Sequence, residues 1–182
     1  MQVRAVEMYQ AITKLDNEKI ILMGHSYGCA TTIQAYHSLE PKLKSKVTHM
    51  IMLDPWLFPL SDSAFKKSIE CPVLILKNED FVKVPDMYIR NKKFLEEHKG
   101  DKLEFVLWNN GHHLHQTDMG FINGNLLGKI KHSHMSQIFL DLNISAIDKF
   151  LRGEKVEGTF ESKDLGRNYT PEKFYSEGKF TF

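Results

Sequence analysis

The chain has 182 residues, of which 42% are hydrophobic and 26% are charged, a balance typical of a folded globular protein. Its 24 basic and 23 acidic side chains leave a formal charge of +1, so no overall positive field favours nucleic acid as a partner. No apolar run reaches the roughly 18 residues of a membrane span, and MQVRAVEMYQ at the start has no signal-peptide core. The chain as written is expected in the cytoplasm, or outside the cell if a signal sequence precedes it.

The first third of the chain predicts a helix, a strand and a second helix. Apolar residues spaced by three and four predict an amphipathic helix over 3–14, which ends at a polar turn. The short apolar run IILM, residues 20–23, is typical of a strand covered on both faces in a parallel sheet. A helical pattern follows from Ala30 to about Leu39.

Three further strands are predicted at 48–53, 72–77 and 103–108, with a charged helix at 87–98 before the last of them. A final amphipathic helix is expected from about residue 136 to 151. No structure is predicted for residues 119–134, and residues 153–182 are interpreted as an extended, loosely docked tail. Strands that alternate with helices favour a parallel α/β fold whose functional groups lie at the carboxyl ends of the strands.

The two cysteines, Cys29 and Cys71, are too few for a disulfide framework. Both lie in segments expected in the core, and neither has a second cysteine at metal-ligand spacing. We therefore expect two buried free thiols.

The stretch GHSYG, residues 24–28, matches the G-x-S-x-G pattern of a nucleophile elbow. The pattern alone is weak, but here it follows a predicted strand and precedes a predicted helix, as an elbow requires. The serine of an elbow adopts a strained backbone conformation that projects its hydroxyl above the sheet. Small residues on either side, here Gly24 and Gly28, leave room for that turn. Ser26 is thus the candidate nucleophile.

A serine hydroxyl needs a base, and the base needs an orienting carboxylate. Candidate acids are Asp54, after the second strand, and Glu79 and Asp80, after the third; the residues alone do not choose between the two strand ends. The base is expected just past the last strand, where the chain offers three histidines: His112, His113 and His115.

Those three histidines could instead bind zinc, but Asp118 is the only carboxylate or cysteine of the sequence at ligand spacing from them. No metal or other cofactor is therefore predicted. His132 and His134 are interpreted as surface residues, and His25 and His37, which flank the elbow, as locally packed side chains with no role assigned.

Three segments in order resemble the platelet-activating factor acetylhydrolases of the plasma and cytosolic type II forms. GHSYGCATTIQ from residue 24, LDPWLFPL at 53–60 and HQTDMGF at 115–121 are similar to the family's approximate GHSFGGAT, LDAWMFPL and HQNFADF. The resemblance covers about residues 15 to 152. It implies an α/β-hydrolase fold, with a parallel sheet flanked by helices and without the family's N-terminal strands. Residues 1–152 would then be part of a catalytic domain, followed by the tail at 153–182.

The resemblance implies calcium-independent hydrolysis of short or oxidised sn-2 acyl esters of phospholipids, without a cofactor. Carried over by position, Ser26 is the nucleophile, Asp54 the triad acid and His115 the base, with Asp80 as the fallback acid. Tyr27 would give a backbone N–H to the oxyanion. Alternatives are a general carboxylesterase or lipase of the same fold and a non-catalytic remnant.

The residues that follow the candidate acid are apolar: Trp56, Leu57 and Phe58. They could line the acyl pocket, face a membrane or lipoprotein surface, or simply pack beneath the loop. The sequence leaves these three interpretations open.

Overall fold

The computed structural model describes residues 2–16, 18–82, 84–98, 100, 102–108, 111–117, 133–156 and 166–168. The segment 119–132, for which no structure is predicted, lies outside the described residues, as do Asp118, His132, the side chain of His134 and most of the predicted tail.

Helices and strands alternate as predicted. The helices are α1 (Gln2–Thr13), α2 (Tyr27–Ser38), α3 (Pro41–Lys44), α4 (Asp62–Phe65), α5 (Glu79–Val82), α6 (Pro85–Glu97) and α7 (Ser133–Leu151), and a 3₁₀ turn covers His113–Gln116. The strands are β1 (Ile20–His25), β2 (Val47–Leu53), β3 (Val73–Asn78), β4 (Leu103–Trp108) and β5 (Gly166–Asn168). The predicted elements are confirmed, with bounds shifted by a few residues. The short helices α3, α4 and α5 were not predicted, and β5 lies in the segment expected to be a loosely docked tail.

The strands of the described chain form one sheet in the order β1-β2-β3-β4-β5. The first four are parallel, and β5 pairs antiparallel with β4. Neighbouring strands in sequence are therefore neighbours in the sheet, which brings the ends of β1, β2 and β3 side by side. This is the arrangement that a site at the carboxyl edge of a parallel sheet needs.

Two apolar clusters form the core. The larger contains Leu22, Met52 and Ile75 from the sheet and Ile33 from α2, and the smaller joins alternate residues of β2, β3 and β4 to Phe139 and Phe150 of α7. Because successive strand residues point to opposite faces, these clusters lie on the two sides of the sheet.

The expectation that β1 is covered on both faces is wrong. Its burial alternates, and Ile21 and Met23 are 47% and 48% exposed. No β1 side chain belongs to the cluster under α7, so the second face of this edge strand is left partly open. A continuous apolar run indicated a buried strand but could not show that only one face is packed.

The helix α1 and the start of the tail also depart from expectation. Val3 and Val6 of the predicted apolar stripe are exposed, whereas Ala5 and Ile12 are buried. Val156, in the segment expected to be loosely docked, is fully buried and donates its N–H to Glu104 Oε2 at 3.2 Å. The chain just after α7 is therefore fastened to the sheet.

Candidate active site

Ser26 lies in a strained turn between β1 and α2. Its φ is 55° and its ψ is −124°, a region that residues other than glycine rarely adopt. The turn is held by the neighbouring strand, because the Ser26 N–H donates to the Leu53 carbonyl at 2.9 Å. Such strain persists only where surrounding contacts over-determine the backbone. This is the geometry of a nucleophile elbow, as the sequence predicts.

The two glycines of the motif have unequal roles. A Cβ built on Gly24 would lie 2.7 Å from the Cys29 nitrogen and 2.7 Å from the Gly28 carbonyl carbon, whereas one on Gly28 would meet nothing within 4 Å. Only Gly24 is therefore required by close backbone packing. The same crossing is bridged by Cys29, whose thiol donates to the Gly24 carbonyl at 3.1 Å. Burial raises the pKa of this thiol well above its usual range.

Asp54 lies at the end of β2, next to the elbow. Its φ of 43° turns the chain sharply, and its N–H donates to the Leu76 carbonyl at 2.8 Å. The side chain is fully buried, where an ionised carboxylate needs hydrogen-bond donors. Asn78 supplies two, from its backbone N–H to Oδ1 at 2.6 Å and from Nδ2 to Oδ2 at 2.8 Å.

His113, in the loop after β4, joins the serine to the carboxylate. Its Nε2 lies 3.0 Å from Ser26 Oγ, and its Nδ1 lies 3.2 Å from Asp54 Oδ2. A carboxylate can only accept, so the imidazole proton belongs on Nδ1, and Nε2 is left to accept from the serine hydroxyl. The histidine side chain is 20% exposed, so the imidazole is partly accessible to solvent.

The structure corrects the expectation that His115 approaches Ser26. His115 Nδ1 accepts from the His112 N–H at 3.0 Å, and its ring stacks on Phe139 of α7 with 4.9 Å between centroids. Residues two apart on a 3₁₀ turn point in different directions, because the turn has three residues per revolution. His113 therefore faces the serine while His115 faces α7. The alternative of His113, left open by the residues themselves, is the one that the geometry selects.

The fallback acid Asp80 supports the loop instead of the imidazole. Its Oδ2 accepts from the His113 backbone N–H at 3.2 Å and lies 3.4 Å from His112 Nε2. Burial raises the pKa of this carboxyl, although the His113 N–H and the neighbouring His112 act in the opposite direction. Glu79, the other candidate at this strand end, begins α5.

Two aromatic rings hold the His113 imidazole and were not anticipated from the sequence. Phe81 stacks on it with 3.9 Å between centroids, and the His25 ring lies 4.6 Å away. His25 Nε2 is also 3.2 Å from the His113 carbonyl oxygen. Burial, and then the neighbouring His113, lower the pKa of His25. Being adjacent to the elbow serine was the only sequence signal for His25.

Behind Phe81 lies a buried lysine. Lys77 is 1% exposed, and its Nζ lies 4.8 Å from the Phe81 ring centroid. Burial lowers the pKa of Lys77 to about 8, although the carboxylate of Asp54 acts in the opposite direction. The sequence signal for Lys77 was a charged residue at the end of the apolar stretch 72–77, which predicts a buried strand.

The apolar residues after Asp54 separate into two groups. Leu57 is fully buried in the core, whereas Trp56 and Phe58 are 38% and 57% exposed. Packing beneath the loop therefore describes Leu57, which cannot face a membrane. The Trp56 ring meets the Tyr27 ring edge to face with 6.2 Å between centroids, and the Trp56 backbone N–H donates to the Ser26 carbonyl at 3.0 Å, so Trp56 lies beside the candidate nucleophile.

Within the described part of the chain, no group of three histidine, cysteine or carboxylate side chains is arranged to hold a metal ion. The same residues contain no helix that is both long and apolar enough to cross a bilayer.

A family model described as "Platelet-activating factor acetylhydrolase, isoform II" matches residues 4–172. The chain belongs to this family. The platelet-activating factor acetylhydrolase of Cavia porcellus is 28% identical over 149 residues, which are 80% of this chain and 32% of that protein. That of Gallus gallus is 28% identical over 117 residues, 63% of this chain and 25% of that protein. The chain thus spans about a quarter to a third of the length of these acetylhydrolases.

The fold has a solved counterpart in a ferulic acid esterase from Streptomyces cinnamoneus. That structure superposes with a TM-score of 0.68 and 16% sequence identity over 92% of this chain and 54% of the esterase. The predicted α/β-hydrolase fold is confirmed.

Proposed function

We propose that this acetylhydrolase-family chain is a serine esterase in which Ser26 is the nucleophile, His113 the general base and Asp54 the orienting carboxylate. The observation that carries the proposal is the continuous connection from Ser26 Oγ to His113 Nε2 at 3.0 Å and from His113 Nδ1 to Asp54 Oδ2 at 3.2 Å. The strained φ of Ser26 adds independent support, because backbone strain of this kind clusters at functional sites.

In this mechanism Ser26 Oγ attacks the ester carbonyl carbon while His113 Nε2 accepts the hydroxyl proton. The tetrahedral intermediate collapses as His113 returns that proton to the departing alcohol oxygen, which leaves an acyl group on Ser26. A water molecule then attacks the acyl carbon as His113 Nε2 accepts one of its protons. The second tetrahedral intermediate collapses as His113 returns that proton to Ser26 Oγ, which breaks the bond to the acyl carbon, releases the carboxylic acid and restores the serine. Asp54 holds the imidazole in the required tautomer and stabilises the imidazolium that forms.

The developing oxyanion needs hydrogen-bond donors close to the serine. Tyr27 is the first residue of α2, and the N–H groups in the first turn of a helix have no partner within that helix. We assign the Tyr27 N–H as one donor of the oxyanion hole, as the sequence predicts. The positive end of the α2 dipole favours negative charge at the same point.

The substrate class that we propose is phospholipids with a short or oxidised sn-2 acyl chain. Family membership supports it, since the relatives carry the acetylhydrolase name.

We propose no cofactor and no calcium requirement, because a serine activated by histidine and carboxylate needs no metal ion. Trp56, which is exposed beside the serine, and the exposed Phe58 two residues later are proposed to touch the lipid surface; sedimentation with phosphatidylcholine vesicles measures that contact. Location in the cell stays a prediction.

The decisive experiment is labelling with a fluorophosphonate probe. The wild-type chain should be labelled at Ser26, and Ser26→Ala should abolish labelling because the attacking oxygen is gone. Ser38→Ala is the matched control: Ser38 lies on the same helix, is exposed and donates only to the Gln34 carbonyl at 2.9 Å. A folded wild-type chain that the probe does not label would favour the non-catalytic alternative and end the proposal.

Substrate comparison then tests the finer claim. We expect the chain to hydrolyse 1-alkyl-2-acetylglycerophosphocholine in the presence of a chelator. The kcat/KM for this lipid should be higher than for the counterpart with a long sn-2 acyl chain. Hydrolysis of p-nitrophenyl esters with no activity on phospholipids would instead identify a general carboxylesterase.

A further inference from the structure

Asn78, the last residue of β3, is hydrogen-bonded to two parts of the candidate site, the acid Asp54 and the loop after β4. It is completely buried. Its backbone N–H donates to Asp54 Oδ1 at 2.6 Å, and its side-chain Nδ2 donates to Asp54 Oδ2 at 2.8 Å. The two oxygens of the carboxylate are therefore both held by this single residue, which fixes the plane of the carboxyl group.

The same side chain also reaches the histidine loop. Asn78 Nδ2 donates to the His112 carbonyl oxygen at 3.0 Å, one residue before the histidine that faces Ser26. An amide nitrogen carries two protons, and here one is used on the acid and the other on the loop. The planar amide of Asn78 thus fixes the position of Asp54 relative to the loop that carries His113.

The loop comes close to Asn78 because Gly111 has no side chain. A Cβ built on Gly111 would lie 2.1 Å from Asn78 Oδ1. The orientation of the amide follows from its neighbours: turning Oδ1 toward Asp54 would set an acceptor against a carboxylate, which can only accept. Among the described atoms, Asn78 Oδ1 has no hydrogen-bond partner. The contribution of this side chain to the site therefore comes from the two hydrogen bonds that its Nδ2 donates.

We propose that Asn78 is a positioning residue of the esterase reaction, acting by aiming Asp54 Oδ2 at His113 Nδ1 and by fixing the loop that carries His113. This inference rests on the function proposed above. It predicts that removal of the amide slows acyl transfer while substrate binding is retained, because Asn78 is completely buried behind Asp54 and the loop and does not reach the surface where a substrate would bind.

The test is Asn78→Ala, with Asn143→Ala as the matched control. Asn143 is also a buried asparagine, 4% exposed, but its Oδ1 accepts from the Trp108 indole at 2.8 Å and contacts no triad residue. Hydrogen bonds to charged groups have strengths that correspond to about a 10- to 100-fold change in rate. We expect kcat and the labelling rate at Ser26 to fall by about that factor in Asn78→Ala, with KM unchanged, and both to stay at wild-type values in folded Asn143→Ala.

A second variant, Asn78→Asp, tests the same proposal if Asn78→Ala does not fold. Asn78→Asp has nearly the same shape but replaces the donor by an oxygen beside Asp54, so it should lose at least as much activity as the alanine variant. The proton NMR resonance of the His113 Nδ1–H, displaced far downfield by its carboxylate partner, should shift or vanish in both Asn78 variants and persist in Asn143→Ala.

The outcomes separate the two proposals. A wild-type chain that is not labelled overturns the esterase function itself. A labelled wild type together with wild-type kcat and an unchanged downfield resonance in either Asn78 variant overturns the positioning role and leaves the esterase function intact.

Discussion

The elbow, residues 24–29, and the histidine loop, residues 111–117, face each other across the site and are held by different means. The elbow is a local structure: a strand, a turn that needs Gly24, and a helix that begins directly after Ser26. The loop depends on residues distant in the chain. Asn78 donates a hydrogen bond to it, Asp80 accepts one from it, and Phe81 stacks on its His113 ring. Local structures can be recognised from a short pattern, whereas the conformation of such a loop depends on its packing.

The largest expected effect tests the loop. His113→Ala should lower the labelling rate at Ser26 by about 10²- to 10⁴-fold, the range for loss of a general base. His115→Ala is the matched control, because it removes a histidine of the same turn that stacks on Phe139 and caps the turn. It should leave the labelling rate within about tenfold and lower the free energy of unfolding by about 1 kcal/mol. The reverse order of effects would restore the motif-based choice of His115.

The next effect tests the elbow. In Gly24→Ala the new Cβ would approach backbone atoms of Gly28 and Cys29 to 2.7 Å, and overpacking of this kind costs about 1–3 kcal/mol. Urea denaturation should show that loss of stability, together with reduced labelling, because the turn must shift. Gly28→Ala meets no atom within 4 Å and should be neutral or more stable by up to about 1 kcal/mol, since alanine favours a helix. Equal effects of the two substitutions would refute the asymmetry between the glycines.

The last effect concerns the buried lysine behind the loop and is expected in the pH dependence of stability alone. Burial lowers the pKa of Lys77 from 10.5 to about 8. Between pH 8 and 10.5 the unfolded chain therefore binds a proton that the folded chain has lost, and the free energy of unfolding gains a contribution that rises with pH. Below pH 8 both states are protonated and this contribution is constant.

Urea denaturation at several pH values, with wild type and Lys77→Met side by side, measures this contribution. The buried thiols Cys29 and Cys71, whose pKa values are raised, add a slope of opposite sign in both proteins. The difference between the two curves therefore reports Lys77 together with its electrostatic interaction with Cys29. Identical slopes above pH 8 would show that the amine is not buried as described.

The sequence was sufficient for the order of the four parallel strands and of the longer helices, for the elbow and for the two strand ends that could carry the acid; it did not predict the short helices α3, α4 and α5 or the strand β5. Hydrophobic period and glycine placement are local properties, and they specify which segments form strands and where the chain must turn sharply. The motif LDPWLFPL also indicated Asp54, which lies beside the histidine loop. The role of Asp54 in catalysis remains a proposal.

Tertiary structure alone decided which histidine faces Ser26, which face of β1 stays open and what holds Asp54. His112, His113 and His115 have the same chemistry and lie within four residues, so their order in the chain cannot rank them. Their directions follow from the 3₁₀ turn and from packing against Phe81 on one side and Phe139 on the other. Those contacts join residues far apart in the chain, so they cannot be predicted from a short sequence motif.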